Sequence, residues 1–127
     1  MQHDVTFDEE AGWVRVVTRG EATLQGFSAM REAIYSHPGW YPGCKLFLDH
    51  RELDVENFST GDIRTMVGQG VAAQKAHGGG AGKAAVIMSS KLGFGLARMW
   101  QQTLETQAPG DVQVFTDIDD AAAWLSD

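Results

Sequence analysis

The last third of the chain constrains the fold most. Residues 84–88 (Ala-Ala-Val-Ile-Met) are a short, wholly apolar run. An amphipathic stretch follows over about 92–107, then the alternating segment 112–115, then a terminal helical pattern over about 119–125. Strand, helix, strand, helix is the reading. Two short apolar strands joined by a helix-length segment must lie parallel, because the connection spans the sheet rather than turning back beside it.

The upstream sequence extends this pattern. Val5 and Phe7 alternate with polar neighbours, residues 8–12 supply a turn, and residues 13–18 form a second strand, which together predict a β-hairpin. Gly20 is read as ending that strand. Thr23 is placed to cap a helix whose Leu24, Phe27, Met30, Ala33 and Ile34 recur at helical spacing. Residues 37–43, rich in Pro and Gly, are a loop. Residues 45–49 form a third strand, apolar enough to be central, and residues 51–58 connect it to a second helix. Ser59 and Asp62 have capping-box spacing, and Ile63, Met66, Val67 and Val71 follow on one face.

The expected fold is therefore α/β and a single domain over residues 1–127. An N-terminal β-hairpin is followed by β-α repeats, giving a five-stranded, mostly parallel sheet with helices mainly on one face. Right-handed crossovers between sequentially added strands place all the helices on the same side. The other face, with no helix over it, must then be polar, partly covered by the hairpin or loops, or buried in a homodimer.

Composition narrows the function. A net charge of −7 argues against a nucleic-acid groove. No Asp or Glu lies between Asp62 and Glu105, whereas Arg64, Lys75, Lys83, Lys91 and Arg98 do. This is either a solvated surface or a basic face toward an anion, a partner or a membrane. The single cysteine, Cys44, forms no internal disulfide and suits a reducing compartment. The N-terminus lacks signal-peptide character, and no apolar run spans a bilayer. A soluble, cytoplasmic protein is expected.

Residues with chemistry are few. Asp49, His50 and Arg51 form a polar cluster at a strand end, either a relay or a structural ion pair. Four histidines and one cysteine show no metal-ligand spacing, and no nucleophile–base pair defines a reaction, so neither enzyme, metal nor cofactor is expected. In parallel sheets ligands gather beyond the carboxyl ends of the strands. There, Ser89, Ser90 and Lys91 precede a helix whose free N–H groups suit an anion, although a simple cap explains the serines equally well. Met66, Phe94, Arg98 and Met99 complete the candidate ligand site, its apolar members being either core or the wall of a cleft. Gly68 and Gly70, each costing about 1 kcal/mol relative to Ala in a helix, and the glycine loop at 78–82 suggest a second helix able to open as a lid.

Residues 46–51 (Leu-Phe-Leu-Asp-His-Arg), 94–99 (Phe-Gly-Leu-Ala-Arg-Met) and 114–117 leading into Ala121-Ala122-Ala123-Trp124-Leu125 resemble the SpoIIAA-like proteins. These are small bacterial domains of the STAS fold, related to SEC14/CRAL-TRIO lipid-binding modules. The resemblance covers nearly the whole chain. It implies a non-enzymatic domain that binds a small apolar or amphiphilic, lipid-like ligand or touches a membrane surface. An amphiphilic anion would set its tail between helices two and three and its head near Ser89, Lys91 and Arg98. The alternative it implies is a regulatory module of the anti-sigma-factor-antagonist kind, switched by a phosphorylated Ser and acting on a protein partner. The corresponding segment here is Asn57-Phe58-Ser59-Thr60-Gly61, without the Asp of that motif. Ser59 and Thr60 are its candidate acceptors, and a helix cap is the simpler role for Ser59.

Overall fold

The computed structural model describes residues 1–108 and 110–127. β1 (Gln2–Asp8) and β2 (Trp13–Glu21) form the antiparallel hairpin. There follow α1 (Leu24–Ser36), β3 (Lys45–Asp54), α2 (Thr60–Ala76), β4 (Lys83–Ile87), α3 (Lys91–Glu105), β5 (Asp111–Phe115) and α4 (Ile118–Ser126). The five strands lie in sequence order, and β2 to β5 are parallel.

Local chemistry accounts for the helix starts. Thr23, Ser59, Ser90 and Asp117 each accept a hydrogen bond from an otherwise orphaned N–H in the first turn. At α2 the capping box is complete: Asp62 N–H donates to Ser59 Oγ at 3.0 Å, and Ser59 N–H donates to Asp62 Oδ2 at 2.8 Å. Asp serves where Glu is usual because its carboxylate still reaches back three residues.

Two expectations about the strands need correction. β2 continues through Gly20 to Glu21, and β3 continues five residues past Asp49, so residues 51–54 are strand rather than loop. Gly20 remains in the ladder with φ +86°, a conformation glycine adopts freely. The two extensions pair with each other: Gly20 lies opposite Leu53, and Glu21 opposite Asp54. The ladder is not regular. Val17 lies opposite Asp49 and Arg19 opposite Glu52, so β3 spends one more residue than β2 on the same span. That is a bulge at His50–Arg51, and it shifts the in-out alternation of β3 by one.

The sheet has two different sides. Helices α1, α2 and α3 cover one, over Val14, Val16, Leu48, Ala84 and Val86. On the other, Ala121 and Leu125 of α4 pack onto Trp13, Phe47, Ala85 and Ile87. The expectation that all the helices share one side fails for α4: it follows the last strand and crosses over to nothing, so the handedness rule that places the other three helices does not apply to it. Leu125 is its fully buried anchor. Trp124 beside it is only half-buried, with its ring against Phe115 and under the Lys83 ammonium. Lys83 Nζ also donates to the Trp124 and Asp127 carbonyls, a cation placed where the α4 dipole favours one. The uncovered remainder of this side is polar, with Arg19 paired to Asp4 across the hairpin.

Candidate functional site

A cavity of about 160 Å³ lies between the sheet and the three helices. Its floor includes Leu48, Ala84 and Val86, and its walls include Met66 and Val67 of α2 and Leu96 and Trp100 of α3. The space exists because α3 does not fully seat. Gly93 is the only fully buried residue of that helix, while Leu96, Ala97, Trp100 and Leu104 stay half-buried.

The two ends of the cavity differ. Toward the carboxyl ends of the strands, Phe27, Phe58, Met88 and Gly93 line it, and all are buried. Phe27 packs edge-on against both Phe58 and His50, at ring distances of 5.3 and 5.9 Å. A Cβ on Gly93 would come within 2.5 Å of Met88 Cε, so the start of α3 is tight against the end of β4. At the opposite end the lining includes Glu105, Gly110 and Asp111, all exposed, which marks the mouth. Gln74 lines the same end, beneath the glycine loop.

His50 is the polar residue at the closed end. It is 7% exposed, and its Nδ1 lies 2.6 Å from Thr18 Oγ1 on the neighbouring strand. Nε2 makes no hydrogen bond among the described residues and keeps some accessible surface, so it is not a sealed orphan. Burial pushes the His50 pKa down to about 4, against an opposing pull from the Asp49 charge, so the ring is neutral at physiological pH.

The strand separates the Asp49-His50-Arg51 cluster. Asp49 and Arg51 face the α4 side and pair with each other there. Arg51 Nε donates to Asp49 Oδ1 at 2.9 Å, and its second nitrogen to Oδ2 at 2.8 Å. Burial would raise the Asp49 pKa, but the hydrogen bonds and charge of Arg51 outweigh it and hold the carboxyl below its ordinary value. His50 faces the cavity. The tripeptide is a structural ion pair on one side and a lone imidazole on the other, with no convergence into a relay.

Of the candidate ligand residues, Met66 lines the cavity. Phe94 and Met99 pack at the edge of the same core without reaching its lining, and Lys91 and Arg98 are exposed. Ser89 Oγ donates to the Arg51 carbonyl at 2.7 Å, while Ser90 caps α3. The tight seat of Gly93 closes the end of the cavity nearest these groups. Ser59 and Thr60 are exposed at the start of α2, where the Ser59 hydroxyl is engaged as the cap. Among the described residues, no group of three His, Cys, Asp or Glu side chains gathers in metal-binding geometry. No helix among them is long and apolar enough to cross a membrane. His50 itself was visible in the sequence only as part of a strand-end cluster. Its in-phase spacing with Leu46 and Leu48 is the signal that places it on the helix-covered side.

The chain has a SpoIIAA-like fold. It superposes on the crystal structure of an uncharacterized protein of the DUF3478 family, with a SpoIIAA-like fold, from Shewanella loihica PV-4. The TM-score is 0.62 at 18% sequence identity, covering 98% of this chain and 92% of the other. No family model and no curated protein matches the sequence.

Proposed function

We propose that this domain is a non-enzymatic binding module that takes a small apolar or amphiphilic ligand into the cavity beneath α1, α2 and α3. The observation that carries this reading is the combination of about 160 Å³ of space, an almost wholly apolar lining and a single mouth-side group of exposed residues. Ligand sites are typically concave, apolar and provided with a few placed polar groups. Size sets the class. An apolar cavity of about 150 Å³ accommodates one benzene ring, so a long acyl chain needs the helices to part, whereas a ring-sized molecule does not. Charge points the same way. Arg31, Glu105 and Asp111 are the charged residues of the lining, and the Arg31 guanidinium is turned to Gln69 on the surface. An anionic head at the mouth would therefore meet two carboxylates.

The test is a thermal-shift screen of small aromatic and short-chain amphiphilic compounds. A ligand at 100 times its dissociation constant adds about 2.7 kcal/mol of stability. Ala84→Leu, which extends a floor side chain into the empty space, should remain folded and lose the shift. Absence of any stabilising compound, or equal shifts in the blocked variant, would refute the reading.

A further inference from the structure

We propose that the ligand is a ring-sized, uncharged hydroxyl compound of the phenol class, which enters ring-last and docks its hydroxyl on His50 Nε2. This inference rests on the binding reading above and adds to it the chemistry and orientation of the occupant.

Three observations support it. First, His50 is the polar side chain at the closed end, and one of its nitrogens is already committed: Nδ1 is held by Thr18 at 2.6 Å. Nε2 makes no hydrogen bond among the described residues and keeps accessible surface on a residue that lines the cavity, so an occupant that supplies a partner gains a hydrogen bond there. Second, the surroundings of that atom are apolar and aromatic. Phe27 stands edge-on to the imidazole, and Phe58 and Met88 close the end. A flat ring fits such walls, and Met adapts to it. Third, no cation stands at this end to receive a carboxylate, and the imidazole resists protonation there.

The hydroxyl follows from the imidazole itself. If Thr18 donates to Nδ1, then Nε2 carries the proton and donates. If Nδ1–H donates to Thr18, whose hydroxyl then reaches the Asp49 carbonyl at 3.4 Å, Nε2 accepts. A phenolic hydroxyl accepts in the first arrangement and donates in the second. A ketone or an ether satisfies only the first.

The experiment is titration calorimetry of the full chain with benzene, phenol and benzoate, combined with ¹⁵N NMR of the His50 imidazole. Phenol should bind on the order of tenfold tighter than benzene. His50→Phe should reduce that advantage to about twofold or less. The Nε2 resonance should move with phenol and stay with benzene. That measurement needs no variant and stands even where His50→Phe does not fold. Equal affinity for benzene and phenol, a resonance unmoved by phenol, or benzoate binding tighter than phenol would overturn the proposal while leaving the binding reading intact. Failure of all three compounds to bind would overturn both.

Discussion

The two sides of the sheet are packed to different standards. Under α4, Ala85, Ile87, Ala121 and Leu125 are completely buried, and Trp13 stacks on Phe47 with ring centroids 5.7 Å apart. Small residues on sheet and helix let the two backbones approach, and large ones fill what remains. Under the other three helices the same strands meet larger side chains, and a ring-sized space is left over. One helix closing on a flat patch needs to match one surface. Three helices must match the sheet and one another at once, and α3, with its apolar side chains only half-buried, shows where that match is incomplete. A site is most readily hosted on the side where packing is unfinished.

The largest expected effect separates the two sides directly. Phe47→Ala removes a 1% exposed ring from the filled side and should cost about 3–5 kcal/mol in denaturant unfolding. Leu96→Ala, whose side chain already borders open space, should cost less than about 2 kcal/mol. Equal losses would mean that the two sides are equally well packed.

Acid should act on the cavity side first. The unfolded chain protonates its histidines near pH 6.5, whereas folded His50 resists until about pH 4. Between those values the unfolded state binds more protons, so stability falls as pH drops from 6.5 toward 4, by about 3 kcal/mol for this one group. His50→Phe should flatten that part of the profile. Asp49, its pKa held down mainly by Arg51 against the effect of burial, adds a further loss at lower pH, from the opposite side of the sheet. A wild-type profile flat between pH 6.5 and 4 would show His50 to be solvated.

The smallest effect concerns α2, which roofs the cavity. Open space surrounds the position where a Cβ would stand on Gly68 and on Gly70. Gly68→Ala should therefore stabilise the protein by up to about 1 kcal/mol through helix propensity. Slower ligand entry in Gly68→Ala, measured by stopped flow, would indicate that loosening of α2 admits the ligand. An unchanged rate would place the entry elsewhere along the mouth.

The parts of the molecule legible in the sequence are those decided within a few residues. Thr23 and Ser59 announce their helices because each side chain satisfies an N–H three residues on. The apolar run at 84–88 announces a strand buried on both faces, and the helix-length segments between strands dictate parallel order. The extension of β2 and β3 past Gly20 and Asp49 was hidden, because each extension exists only by pairing with the other, more than thirty residues away. The placement of α4 was equally hidden, since a terminal helix has no crossover to fix its side. The cavity lay beyond reach for a third reason. Met66 and Leu96 read alike as core or as wall, and which they are depends on how far α3 stands off, a sum over many contacts rather than a property of any residue.

The bulge in β3 makes strand register, more than composition, the sensitive variable at the closed end. Arg51 and Glu52 fall consecutively outside the cavity, and only because of that extra residue does Leu53 return to its wall. Paired without the bulge, the same residues would alternate strictly and turn Glu52 inward, setting a carboxylate beside His50, whereas deleting Arg51 would remove the bulge and leave Glu52 outside and Leu53 inside. A substitution at these positions adjusts the site, whereas a slip of register by one residue would reverse its polarity.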